Sequence, residues 1–327
     1  MTPDREDRLW MYRIMYLSRQ FEERIKPAYF EGKQPMFNMA KGPIPGEMHL
    51  SEGQEPCAVG VCAHLRADDW VTAPHRPHHI AIAKGVDLRA MAAEIFGKKA
   101  GLSGGRGGHM HLFDVRVNFS CSGIIAQGMG PAAGAALAAK LRGSDQVAVA
   151  FIGEGAANQG AFHETLNLAA VWNLPCLFVI EDNSYGISVA KRDSTAIPSN
   201  AARAAAYGMP GIAVADNDPD AVYRAAGEAI ARARAGGGPS LIEIETTRLE
   251  GHFMGDVEGY RPEGEVAALK VRDPLIVYRE RLLSDGFDAA ELDDSERSAV
   301  ADVDDAFAFA RETPLPDAVE AFDHVFA

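Results

Sequence analysis

The chain has 327 residues, room for two or three average domains or one large α/β unit, and its 47% hydrophobic and 24% charged composition is ordinarily globular. Its 46 acidic and 32 basic residues leave a formal net charge of -14, which argues against a nucleic-acid-binding face and against docking on an anionic membrane. No apolar run approaches the roughly 20 residues of a membrane span, and MTPDREDRLW resembles neither a signal nor a transit peptide. Cys57, Cys62, Cys121 and Cys176 are scattered without a C-x-x-C pair, which fits reduced, buried thiols in a cytoplasmic protein.

In chain order, Trp10, Ile14, Leu17 and Phe21 form one apolar stripe, so residues 9–26 are expected to be helical, with Pro27 ending or kinking the helix. Residues 31–48 hold three prolines and three glycines and read as a long loop. Ser51 is placed to cap a helix running to about Leu65. The glycine-rich stretch 101–108 is either a linker or a loop that approaches a ligand closely. From there the pattern is α/β. Helices are expected at 131–142, 160–172 and 219–235, and buried strands at 146–152, 176–181 and 240–246, with an irregular stretch before 219. Strands alternating with helices imply a parallel sheet with right-handed crossovers. Terminal helices rich in exposed acids fill 273–312. One domain is expected, made of an arm and loop (1–48), an α/β core (49–272) and C-terminal helices (273–327).

The chemistry concentrates at 147–187. One buried strand ends in Gly153-Glu154-Gly155 and the next in Asp182-Asn183. Ligands bind beyond the carboxyl ends of parallel strands, so Glu154 and Asn183 should converge. A carboxylate and an amide oxygen suit magnesium, and the backbone N–H groups after Gly155 suit a phosphate. A dinucleotide site of the G-x-G-x-x-G type fits poorly, because the third glycine, Gly160, falls two places late, and no G-K-[ST] of a phosphate-binding loop exists.

Gly153-Glu154-Gly155, 26 residues, then Asp182-Asn183 resembles the thiamine diphosphate fingerprint. GEGAANQGAFHETLNLAAVWNLPCLFVIEDNSYGIS, HLSEGQE, HRPHH, GGRGGHMH and GHFMGD..GYR together resemble the alpha subunit of the first component of 2-oxo acid dehydrogenase complexes. The resemblance implies a thiamine diphosphate-binding α/β fold, with a parallel sheet flanked by helices. Glu154, the side chain of Asn183 and the backbone carbonyl of Tyr185 would hold Mg2+. Arg76, His252 and His75 would meet the diphosphate, beside Gly153, Gly155 and Ala156. Gly123 and Ile125 would hold the aminopyrimidine ring by their backbone. His49, His78 and His252 would serve the substrate, while His64 and His163 have no motif around them and His79 is the more ordinary of the remaining histidines.

Departures from the family pattern matter. Glu154 stands where an aspartate is expected and Asp182 where an asparagine is, and the extra charge at 182 should weaken diphosphate binding unless a hydrogen bond compensates. Phe253 replaces a phosphorylatable serine, and His-Phe-x-Gly-Asp looks most like acetoin dehydrogenase, although the 34–46 insertion fits poorly. The resemblance also implies a beta subunit that supplies the pyrimidine-binding glutamate in an α2β2 enzyme, and a lipoyl acyltransferase as acceptor. Other readings are a transketolase-like ketol transfer to the thiol of an acyl carrier protein, a non-catalytic homologue and, weakest, a nicotinamide dehydrogenase.

Overall fold

A computed structural model describes residues 1–33 and 37–323. Positions 34–36 of the insertion and the last four residues lie outside the described residues. The helices are α1 (Arg5–Phe30), α2 (Glu55–Cys62), α3 (His78–Lys84), α4 (Leu88–Ile95), α5 (Met129–Arg142), α6 (Gly160–Val171), α7 (Pro219–Arg234), α8 (Glu265–Val271), α9 (Pro274–Ser284) and α10 (Ala289–Glu312). The main-sheet strands are β1 (Trp70–Ala73), β2 (Phe113–Asp114), β3 (Phe119–Cys121), β4 (Ala148–Gly153), β5 (Cys176–Asp182), β6 (Gly211–Val214) and β7 (Ser240–Glu245).

The sheet runs β2-β3-β1-β4-β5-β7-β6, parallel throughout except for β2, which pairs antiparallel to β3. All seven residues of β5 are buried, as an apolar run covered on both faces requires. The two faces divide the strand residues by parity. Val149, Phe151, Leu177 and Val179 join a core with α1–α4, α7 and α10. Ala148, Ala150, Ile152, Phe178 and Ile180 join a second core with α5 and α6. Full burial of a side chain such as Phe178 stabilises by about 2 kcal/mol relative to exposure, so two packed faces fix where the strands end.

Several local expectations change. Pro27 does not end α1, which continues to Phe30. A proline this close to the helix end removes only one backbone donor, and burial of Ala28 and Tyr29 offsets the loss. Ser51 does not cap α2. That helix starts at Glu55, with Pro56 in its first turn, while Ser51 gives its N–H and O–H to Glu22 at 2.8 and 2.6 Å. The irregular stretch before α7 contains the edge strand β6.

Residues 101–108 pack onto the fold instead of forming a free linker. They wrap the buried carboxylate of Glu94, which accepts from the N–H groups of Ser103, Gly105 and Gly107 at 2.7, 2.9 and 2.6 Å. Gly105 has φ +77°, and a Cβ there would lie 2.4 Å from the Gly97 backbone, so only glycine fits. The four cysteines are free thiols, buried except for the half-buried Cys121.

Candidate active site

A cavity of about 790 Å3 opens beyond the carboxyl ends of β1, β4 and β5. His49, His75, Arg76, Gly123, Ile125, Gly153, Glu154, Gly155, Ala156, Asn183, Tyr185 and His252 all line it. His78 does not. It is wholly buried behind the wall, with Nδ1 3.0 Å from Glu22 Oε1 and its ring against Phe21. His79 pairs with Glu181 at 2.6 Å in the core. His64 and His163 bond to the Tyr223 carbonyl and the Tyr207 hydroxyl, away from the cavity.

Glu154 begins a tight turn directly after β4. Its Oε2 accepts from Asn183 N–H at 3.3 Å, while Oε1 is buried and unpartnered. Burial, reinforced by the charge of Asp182, pushes this carboxyl up to about 7. Asn183 donates its amide to Gln54 Oε1 at 3.0 Å and accepts from Tyr185 N–H at 3.3 Å. The Tyr185 hydroxyl is committed to Glu265 at 2.8 Å. An orphaned carboxylate oxygen beside an amide oxygen fits a hard cation.

Arg76 brings positive charge to the lining, and Arg248 lies buried behind it. Arg76 is buried and donates to the carbonyls of Leu50 and His252, each at 2.6 Å. Arg248, which sequence reading missed, is also buried and donates to Tyr260 Oη at 2.6 Å, with Nε unpartnered. Neither guanidinium bonds to a carboxylate among the described residues. Burial, aided by Arg248, lowers Arg76 to about 9. Two buried cations without counter-ions fit an anion such as a diphosphate. The only sequence signal for Arg248 is its place four residues before His252 in a loop that matches the family.

Asp182 meets the condition set for it. Its carboxylate bonds to Lys191, which also reaches Glu243 at 2.8 Å, and accepts from Ser184 N–H at 3.0 Å. The added charge is therefore compensated, and the side chain lines a neighbouring crevice instead of this cavity.

The rings of His49, His75 and His252 lie 4.8–5.5 Å apart, centroid to centroid. Burial first, then arginine charge, lowers all three, with neighbouring histidine charge adding to His49 and His75; His49 falls to about 2 and His252 to about 4. Their ligating atoms fall within 4.8 Å of one another, but Arg76, 3.1 Å from His252 Nδ1, and the nearby charge of Arg248 oppose a cation there. The cluster is a lining of neutral imidazoles.

The dehydrogenase E1 component family matches residues 32–319. The chain belongs to that family. E1 membership makes it an enzyme chain of the thiamine diphosphate-dependent dehydrogenase type, as its motifs implied. Similar relatives include the alpha subunits of acetoin:2,6-dichlorophenolindophenol oxidoreductase from Bacillus subtilis and Cupriavidus necator. They are 45% and 42% identical, over 98% and 99% of this chain and 94% and 95% of theirs. The pyruvate dehydrogenase E1 alpha subunit of Porphyra purpurea is 37% identical over 98% of this chain and 92% of its own. Among the described residues, no helix is long and apolar enough to cross a membrane.

Proposed function

We propose that this chain is the alpha subunit of an acetoin-cleaving E1 enzyme and forms one diphosphate-binding-type domain across its length. Glu154, Asn183 and the Tyr185 carbonyl hold Mg2+. Arg76, with His252 and the Gly153–Ala156 turn, holds the diphosphate of thiamine diphosphate. Gly123 and Ile125 hold the pyrimidine by their backbone. The observation that carries this reading is that one cavity is lined by both an unpartnered buried carboxylate, Glu154, and a buried guanidinium without a carboxylate partner among the described residues, Arg76, with the buried Arg248 behind that lining. Acetoin is favoured by the two acetoin-oxidoreductase relatives and by Phe253 after His252.

Bound thiamine diphosphate supplies an electron sink for breaking the bond between two adjacent oxygenated carbons. The chain binds the anion, excludes water with the apolar rim of Ile124, Ile125 and Ile187, and offers neutral imidazoles at His49 and His252 that accept or return protons. A beta subunit supplies the carboxylate for the pyrimidine ring in an α2β2 enzyme, and a lipoyl acyltransferase takes the acyl group.

Reconstitution with the beta subunit, Mg2+ and thiamine diphosphate tests this, with dichlorophenolindophenol as electron acceptor. Dye reduction is expected with acetoin, only when both subunits and Mg2+ are present. Preference for pyruvate or a branched-chain 2-oxo acid would overturn the substrate assignment. Turnover by the chain alone would overturn the requirement for a partner.

A further inference from the structure

Two spaces meet at the segment Asp182–Tyr185, the active-site cavity and a neighbouring crevice of about 800 Å3. Asn183 and Tyr185 line both, whereas Asp182, Ser184 and Lys191 line the crevice alone. Each oxygen of the buried Asp182 carboxylate accepts a bond, Oδ1 from Ser184 N–H at 3.0 Å and Oδ2 from the Lys191 ammonium. Ser184 has φ +71°, a left-handed conformation that a non-glycine residue keeps only where its surroundings hold it. They do so at both ends, because the Ser184 carbonyl accepts from Lys191 N–H at 2.8 Å. Lys191 thus grips this turn twice, through its backbone and through Asp182. Tyr185, next in the chain, gives its N–H to Asn183 Oδ1 at 3.3 Å and opens a short hairpin that pairs Tyr185–Gly186 with Val189–Ala190. Glu243 is a second carboxylate on Lys191, at 2.8 Å, but it has other donors in Asn200 Nδ2 and Ala201 N–H, each at 3.1 Å. Burial works against the Lys191 ammonium, yet its bonds to Asp182 and Glu243 raise it above its ordinary range.

We propose that Lys191 is a positioning residue for the cofactor site and acts through Asp182: its ammonium compensates the carboxylate beside Asn183 and holds it on the crevice side, so that an anion can enter the cavity. This rests on the reading of Glu154, Asn183 and Tyr185 as the site of Mg2+ and thiamine diphosphate. The reason is charge. An aspartate one residue before a metal ligand sets a negative charge near negative phosphates, and a protein interior screens it poorly. That charge reaches the site, since it acts on Glu154. A neutral side chain at 182 would need no clamp. With aspartate there, Lys191 supplies the cation, and severing the pair leaves a buried carboxylate uncompensated.

The test is a double-mutant cycle on the complete enzyme, this chain with its beta subunit, read as the calorimetric Kd of thiamine diphosphate at fixed Mg2+. Lys191→Met keeps an unbranched stem and removes the charge. It should weaken binding at least about tenfold, as the loss of a group behind a metal ligand does. Asp182→Asn keeps an acceptor for Ser184 N–H and should bind within about threefold of the parent. In the Asp182→Asn background, Lys191→Met should cost less than about threefold. Lys191→Met combined with Glu243→Gln should stay as weak as Lys191→Met alone, a contrast that a merely structural ion pair would not produce. An unchanged Kd in Lys191→Met, no recovery with Asp182→Asn, or equal recovery with Glu243→Gln would overturn the proposal. If Lys191→Met alone does not assemble with the beta subunit, the Asp182→Asn background decides. A loss there above about threefold overturns the role of Asp182, and a smaller one upholds it. A parent pair that binds no thiamine diphosphate would overturn the functional reading itself, and this proposal with it, before any substitution is compared.

Discussion

Arg76 and Arg248 show how much one side chain discloses when its partner is missing. A buried guanidinium normally rests on a carboxylate, and in this chain Arg19 does so, bonding to Glu55 and Asp273 at 2.7 and 2.6 Å. Arg76 and Arg248 bond to carbonyls and a phenol, so the charge of Arg76 in the lining, backed by the buried Arg248, is left for whatever enters the cavity. Arg76 spans two carbonyls with separate nitrogens, which the single ammonium of a lysine cannot reproduce with equal geometry. Arg76→Lys should therefore weaken thiamine diphosphate binding by about 10- to 100-fold, one to two times 1.4 kcal/mol. Calorimetry on the reconstituted pair checks this, and an unchanged Kd would show that Arg76 is structural. Glu154 makes the complementary point. Its extra methylene, compared with the expected aspartate, lets Oε2 reach Asn183 N–H just past the end of the next strand while Oε1 stays free.

At the scale of elements, the 101–108 loop is held by one carboxylate. Replacing Glu94 with glutamine turns at least one of three accepted N–H bonds into a donor facing a donor. Bonds to a charged acceptor are worth about 1.5–3 kcal/mol each, so Glu94→Gln should cost about 3 kcal/mol in urea unfolding and disturb His109 at the end of the loop. A loss below about 1 kcal/mol would mean that water replaces the carboxylate. How far the elements were legible in sequence follows from their length. β4 and β5 open with continuous buried apolar runs of five residues, Ala148–Ile152 and Cys176–Ile180, and β7 carries Leu241, Ile242 and Ile244, so they stand out. β1, β2 and β3 span two to four residues, too few for a periodicity, and exist because neighbouring strands pair with them. Ser51 illustrates the same limit, because Glu22, 29 residues away, competes for it against the helix it was expected to cap. The site divides likewise. Glu154 and Asn183 were legible because strand ends place them, whereas Arg248 and Glu22 reach their positions only through tertiary packing. The contact of His109 with His49, 60 residues away, was not legible.

For the whole molecule, the charge of -14 is unevenly spent. α10 carries Asp302 and Asp305 against Arg13 and Arg89 of α1 and α4, at 2.6 and 2.5 Å. Such exposed pairs contribute at most about 1 kcal/mol each. The larger electrostatic lever is the neutral histidine cluster. His49, His75 and His109 are all lowered by burial and then by neighbouring positive groups, so the folded chain leaves them unprotonated where the unfolded chain, with an ordinary histidine near 6.5, binds protons. The unfolded state therefore binds more protons below about pH 6.5, and the stability tied to these groups is present above that pH and lost as pH falls. Each contributes about 1.4 kcal/mol per pH unit. His79, raised by Glu181 although burial opposes it, has the opposite sign, since its contribution is present at low pH and lost as pH rises through its folded value. Below about pH 6 the three lowered histidines together cost about 4 kcal/mol per pH unit, while the raised Glu52 and Glu154 carboxyls, at about 8 and 7, offset about 3 of it because the folded state binds those protons first. Urea unfolding of the cofactor-free chain at about pH 7 and about pH 5 measures the net slope. His75→Phe removes a ring whose two nitrogens are both buried and unpartnered. That variant should flatten the slope by about 1.4 kcal/mol per pH unit and leave the chain more stable than the parent at the lower pH. A parent whose stability is flat across that range would show that water or a proton reaches these rings in the folded state.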